Sequence, residues 1–269
     1  MAHKILRKEA TFLGLHTEIE TEDWYMMRIA RPLLKIFVSL AAVLWISVPQ
    51  PTTAQMLTFN TEEWFPYNYM EDGAIAGTST ALVHMISKRA GIKYTMALQP
   101  WALSYNNALH LPDHCVFSTN VTRERLPLFK WVKPLENARW VVYKLRTNPL
   151  VASSLDDLKD KTFGGYLGDA IAVFLKSQGF KVEEAASDHI NPYKLEKGEI
   201  DVWATYDSSG LRLAKERGIE IEAILTVRNN ELALACNKHI DDAIIAKLQN
   251  ALDNVNTSGE ADEIRRRKF

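Results

Sequence analysis

The chain has 269 residues, 47% of them hydrophobic and 24% charged, with 32 basic side chains against 33 acidic ones. That is globular composition, and a formal net charge of -1 without a basic stripe argues against electrostatic capture of a nucleic acid. The length suits one large domain or two modest ones.

Residues 36–48 run without a charge, behind Arg28, Arg31 and Lys35 and ahead of Thr52, Thr53 and Ala54. A basic segment, a short apolar run and a small-residue site make a secretory signal. Pro49 and Pro51 close the run well short of the roughly 20 residues a membrane span needs. The expected arrangement is a mis-assigned start over residues 1–26, a signal peptide over 27–54, and a periplasmic mature chain from Gln55. The acidic Glu18, Glu20, Glu22 and Asp23 do not suit a signal, and Met26 or Met27 is the simpler start. Export puts Cys115 and Cys236 in an oxidising compartment. One bridge between them and two buried thiols are both compatible with the apolar runs around them.

Along the mature chain, residues 57–60 read as a strand, followed by an aromatic loop with Trp64, Phe65, Tyr67 and Tyr69. Thr78 and Ser79 are candidate caps for a helix carrying Leu82, Val83, Met85, Ile86 and Ala90, which Gly91 stops. A strand over 92–98, a helix over 101–109 begun by Pro100, and a strand over 115–118 complete a β-α-β-α-β unit. The pattern then repeats. Strands fall at 139–144, 162–166, 181–185 and 200–205, and helices at 154–158, 169–178, about 192–197 and 208–217. A last strand spans 232–236, and two amphipathic helices span roughly 241–254 and 258–267. The basic run Arg265, Arg266, Arg267 and Lys268 reads as the end of that last helix, where cations complement the dipole. Two α/β units suggest two lobes with a ligand cleft between them, at the carboxyl ends of the strands. That directs attention to residues 60–67, 118–125, 166–170 and 205–208.

Four marks in these segments carry a resemblance. They are Trp64-Phe65-Pro66-Tyr67; Ser118 to Arg125 with Phe129 to Pro134 behind it; Leu155 to Lys161 before Phe163-Gly164-Gly165; and Lys197-Gly198-Glu199-Ile200-Asp201-Val202. In this order they resemble the bacterial extracellular solute-binding proteins of family 3, the polar amino-acid type of ABC importer component. The resemblance implies a two-lobed α/β periplasmic-binding fold of type II, each lobe a mostly parallel sheet flanked by helices, with a hinge of two crossing strands. It places lobe 1 at 55–139 plus 232–269 and lobe 2 at 140–231. It also implies a monomer that binds a small molecule and docks on importer membrane subunits or a receptor kinase.

Carried over residue by residue, the resemblance makes Arg125 the fork that holds a ligand carboxylate. Arg123, two residues away, is the competitor. Ser118 and Asn120 would donate to the same group. Trp64 and Tyr67 would wall the ligand, with Trp101 at a helix start beside them. Gly168, Asp169 and Ala170 match the family's Gly-[Thr/Ser]-[Thr/Ser] at a helix N-terminus, a place suited to anions. Here Asp169 replaces the hydroxyl, and its carboxylate would oppose a ligand carboxylate. Asp207 is the nearest match to the aspartate that pairs with an α-ammonium, offset by one residue so that Tyr206 takes the expected position. Gly77-Thr78-Ser79 stands in place of Gly-Phe-Asp.

The sequence has no Gly-rich phosphate loop, no nucleophile elbow and no cofactor motif. His110 and His114 are four apart, but Pro112 prevents a shared helix face for a metal. The leading expectation is therefore a binding protein without catalysis or cofactor. The alternatives are a cyclohexadienyl-dehydratase-like enzyme with Glu63, Asp169 or Asp207 as the acid, and a soluble sensor for a membrane receptor. Mass spectrometry of the exported protein should find Gln55 as its first residue. Precursor peptides from residues 1–25 would overturn the later start.

Overall fold

The computed structural model describes residues 56–266. The expected signal peptide, its cleavage point and the alternative start lie outside the described residues. Among those described, no helix is long and apolar enough to cross a membrane.

The strands are β1 (Met56–Thr61), β2 (Tyr69–Glu71), β3 (Ala74–Ala76), β4 (Lys93–Leu98), β5 (His114–Asn120), β6 (Lys130–Leu145), β7 (Thr162–Tyr166), β8 (Lys181–Ala185), β9 (Val202–Tyr206) and β10 (Ile221–Cys236). The helices are α1 (Thr78–Ala90), α2 (Trp101–His110), α3 (Ala170–Ser177), α4 (Asn191–Glu196), α5 (Asp207–Lys215), α6 (Asp242–Thr257) and α7 (Glu260–Arg266). Short 3-10 turns fall at Leu126–Leu128, Asp156–Leu158 and Asp188–Ile190. Eight strands form one sheet in the order β4-β1-β5-β10-β6-β9-β7-β8, and β2 with β3 makes a small hairpin. The outer pairs on both sides are parallel, and the pairs involving β6 and β10 are antiparallel.

Side chains alternate across the strands, so each half of the sheet has two buried faces. In β5, Cys115 and Phe117 join a core with Leu82, Ile86, Leu248 and Leu252 from α1 and α6, while Val116 faces Trp101 and Ala108 of α2. In β6, Trp140 and Val142 pack with Ile171 and Leu175 of α3, and Val141 and Tyr143 pack with Leu213 and Ala214 of α5. Helices on both faces of a largely parallel sheet, in two halves, give the two-lobed periplasmic-binding architecture.

Three local expectations need correction. Thr78 and Ser79 are not caps. They lie inside α1, whose N-cap is Gly77, and no side chain caps that helix. The orphan N–H groups of its first turn instead donate to the aromatic loop: Thr78 to the Pro66 carbonyl at 2.9 Å and Ser79 to that of Tyr67 at 3.0 Å. Gly77 is required there, because its φ is 115° and a Cβ would strike the Tyr67 backbone. Ser154 does not cap through its side chain either. Its backbone N–H donates to the Asp157 carboxylate at 2.9 Å, and the turn that follows is 3-10. The third correction is length: the segments read as 139–144 and 232–236 are the ends of two 16-residue strands. Their pairing runs from Ile221↔Leu145 to Cys236↔Lys130, with three register shifts, and such bulges increase twist. These two strands carry the chain between the halves of the sheet.

Cys115 and Cys236 are directly opposite on β5 and β10 and form a disulfide. It closes a sequence separation of 121 residues. In the chain-entropy view a cross-link over so long a loop limits the unfolded ensemble strongly. The double variant Cys115→Ala, Cys236→Ala should therefore lose about 2–4 kcal/mol in urea unfolding. An unchanged midpoint would show that the bridge contributes nothing.

Candidate functional site

The carboxyl ends of β1, β5, β7, β8 and β9 converge on one cleft. Gly168 and Asp169 form its centre. Gly168 has φ 74°, a left-handed turn that presents its carbonyl across the cleft. That oxygen accepts from Trp101 Nε1 and from Arg125 Nη2, each at 2.9 Å. The Arg125 guanidinium lies against two aromatic rings, 5.3 Å from the Trp101 centroid and 5.0 Å from that of Tyr105. Its other amino group, Nη1, has no hydrogen-bond partner of good geometry.

Asp169 is the N-cap of α3. Its Oδ2 accepts from the Ile171 N–H at 3.0 Å, as the Gly-Asp sequence before an apolar helix suggests. Its Oδ1 accepts from the Tyr206 hydroxyl at 2.7 Å. The chain of bonds continues outward: Asn120 Nδ2 donates to the Tyr206 oxygen at 2.7 Å, and Trp140 Nε1 donates to Asn120 Oδ1 at 3.3 Å. Burial pushes the Asp169 carboxyl up to about 6, against the opposing pull of the Tyr206 hydrogen bond and the Arg125 charge. Burial and the Asp169 charge also raise Tyr206.

Two further carboxylates share the cleft. Glu62, just past the end of β1, accepts from the Tyr166 hydroxyl at 3.1 Å. Burial, with the Asp169 charge beside it, pushes its carboxyl well up. Asp188, beyond the end of β8, accepts from Trp203, Asn191 and Thr205 at 2.8, 2.8 and 2.5 Å. Burial raises it too, against these three donors. Between these groups lies a cavity of ≈ 30 Å³, space for about two waters. Its wall includes Glu62, Trp64, Phe65, Tyr166, Asp188 and Tyr206. Trp64 lies against Tyr206, with centroids 4.3 Å apart.

Of the residues singled out from sequence, Trp101, Asn120, Arg125, Gly168, Asp169 and Tyr206 form one bonded cluster, and Trp64 joins the cavity wall. Arg125 is buried, while its competitor Arg123 is exposed. Tyr67 stands apart from the cavity and donates to the Asn137 carbonyl at 3.0 Å, beside the long strands. Ser118 Oγ donates to Asn68 Oδ1, behind the wall. Asp207 also lies elsewhere. It receives the Arg139 guanidinium at 2.7 Å and the Arg139 backbone N–H at 3.3 Å. Glu63 is exposed, accepts from the Met70 N–H and lines the same cavity as Glu62. Glu62 and Asp188 were not anticipated. Both follow the carboxyl ends of parallel strands: Glu62 lies within the segment 60–67 that this rule singled out at β1, and the same rule applied to β8 points to Asp188. No group of residues among those described suits a metal ion.

The sequence profile of the bacterial extracellular solute-binding proteins, family 3, matches residues 57–269. No curated protein matches the sequence. Among solved structures, a histidine kinase sensor domain with similarity to periplasmic binding proteins is 15% identical, with a TM-score of 0.72, over 78% of this chain and 94% of that one. An ancestral arginine-binding protein bound to arginine is 20% identical, with a TM-score of 0.68, over 78% and 96%. The arginine-, lysine-, histidine-binding protein ArtJ from Geobacillus stearothermophilus is 20% identical, with a TM-score of 0.68, over 78% and 94%. At these identities the likeness establishes the fold.

The environment of Asp169 has a pH signature. Its folded pKa lies above the ordinary 3.8, so its contribution to stability is fully present below that pH and is lost as pH rises through about 6. Asp169→Asn keeps a capping side chain and removes the titration. Urea unfolding should show the variant gaining on the parent between about pH 4 and about pH 6 and holding that gain above it. A difference that stays flat across that window would overturn the assignment.

Proposed function

We propose that this chain, which belongs to the bacterial extracellular solute-binding proteins, family 3, captures a small polar solute in the periplasm and delivers it to an ABC importer. Lobe 1 comprises residues 55–139 plus 232–269 and lobe 2 residues 140–231. The long strands β6 and β10 act as the hinge, and ligand shifts an open-closed equilibrium about them. The observation that carries this reading is the set of contacts between residues of the two lobes around the cavity. Trp101 and Arg125 reach Gly168, Asn120 reaches Tyr206, and Tyr166 reaches Glu62. A site assembled from both lobes is completed only by closure.

The likeness to a kinase sensor domain supports a second reading, in which the closed protein signals to a membrane receptor rather than feeding an importer. Both readings share the same capture step, and a pull-down of the membrane partner distinguishes them. The site acts by binding, with no chemical step. Glu62, which lines the cavity, is the acid best placed to serve a dehydratase, and turnover of prephenate by the purified protein would overturn the non-catalytic reading.

Capture is tested by a thermal-shift screen of the purified protein against amino acids, amines, dicarboxylates and aromatic acids. A ligand at 100 times its Kd should add about 2.7 kcal/mol of stability. Trp64→Ala removes an aromatic wall and should weaken the bound solute by about tenfold or more. Unchanged affinity in a folded Trp64→Ala protein would place the ligand elsewhere.

A further inference from the structure

The chemistry of the cavity wall narrows the class of solute, an inference that rests on the solute-binding reading above. Arg125 does not line the cavity. Its guanidinium is held against Trp101 and Tyr105 and donates to the Gly168 carbonyl. The Asp169 carboxylate, which lies within its field, supplies a counter-charge from the chain itself. The cavity wall instead carries Glu62, Glu63 and Asp188 together with the aromatic side chains of Trp64, Phe65, Tyr166 and Tyr206. Arg212 also reaches this wall, but its side chain pairs with Glu216 at 2.7 Å and lies over the Phe65 ring at 4.1 Å. His189 is the remaining basic residue there. A ligand carboxylate placed in this cavity would face three carboxylates, Glu62, Glu63 and Asp188, with Arg212, already paired to Glu216 through Nε, the one arginine in the wall.

Two buried polar atoms in the same wall have no partner: Ser209 Oγ and Trp64 Nε1, on residues that are each 6% exposed. A buried polar group without a partner is costly. The serine oxygen can accept from a ligand N–H, and the indole N–H can donate to a ligand hydroxyl. Asp188 already accepts from three protein donors. Glu62 accepts from Tyr166 through Oε1, which leaves Oε2 for a ligand. A bound cation would offset the cost of keeping that carboxylate charged in a buried site, and aromatic faces add to its attraction.

We propose that the solute is a small organic cation without a carboxylate, an amine, amino alcohol or guanidine, whose cationic head is held between Glu62, Ser209 and the aromatic wall. Asp169, standing where a hydroxyl would leave the Arg125 charge free for a ligand anion, is the residue that excludes the carboxylate.

The test is isothermal titration of the purified protein with matched pairs that differ by one carboxylate: ethanolamine and serine, putrescine and ornithine, agmatine and arginine. At least one amine should bind about tenfold or more tighter than its parent amino acid. Glu62→Gln, checked for folding by circular dichroism, should weaken that amine by about tenfold or more. If a parent amino acid binds more tightly than its amine, or if Glu62→Gln leaves the amine's affinity unchanged, the inference falls and solute capture stands. If no amine binds while a dicarboxylate or aromatic acid does, the inference falls in the same way. If no solute of any class binds to the folded protein, the capture function itself is overturned.

Discussion

The cleft depends on one turn. Gly168 and Asp169 are adjacent, and between them they engage three side chains, from the start of α2, from the 3-10 turn after β5 and from the end of β9. The left-handed conformation at Gly168 turns its carbonyl toward Trp101 and Arg125. The next residue caps α3 and takes the Tyr206 hydroxyl. Each bond satisfies a group that is buried here and would otherwise carry a desolvation cost. A residue with a Cβ at position 168 would resist the turn. An uncharged residue at 169 would leave Arg125 without its nearest counter-charge.

Electrostatics in the cleft are set by burial more than by pairing. Glu62, Asp169 and Asp188 lie close enough to influence one another, and the Arg125 charge acts on both Glu62 and Asp169. Desolvation is the largest influence on each of the three acids, and it raises all of them. The hydrogen-bond donors act in the opposite direction. Asp188, with three donors, is raised less severely than Glu62, which has one and also feels the other two carboxylates. The site therefore combines one acid with three protein donors, Asp188, with one, Glu62, whose Oε2 accepts from no protein donor.

Much of this was legible in the sequence because it is local. Gly168-Asp169 before an apolar run is a helix start whatever surrounds it, and Gly91, Gly179 and Gly198 mark turns through their positive φ. The parallel strands 162–166 and 181–185 were readable from short apolar or alternating runs between turn residues. The long strands were not. The first half of β10 is largely exposed and mixes charges with apolar residues, so its strand character comes from pairing with β6, a contact far away in sequence. Asp207 shows a different limit. Motif spacing placed an acid near the cleft, but side chains alternate along β9. Tyr206 shares its face with Val202 and Ala204 and points into the site. Asp207, one residue later, starts α5 and turns to Arg139. A one-residue offset exchanges the inward and outward groups completely. Glu62 escaped notice for a related reason: of two adjacent glutamates past the end of β1, both at the cavity wall, the sequence does not say which is the more enclosed.

The contacts across the cleft also constrain how a ligand can act. A solute shifts the open-closed equilibrium only by what it gains in the closed form over the open one. Contacts that form without it, such as those of Trp101 and Arg125 with Gly168, lower the free energy of closure and leave less for the ligand to supply. They lie outside the cavity wall, so a ligand need not displace them. The Tyr166 to Glu62 bond is different, because both partners line the cavity. A cation that binds the second oxygen of Glu62 adds to this bond, whereas a ligand that needs the first oxygen must break it. On the proposed reading, the arrangement favours a solute small enough to sit beside the tyrosine hydroxyl and ties selectivity and closure to the same carboxylate.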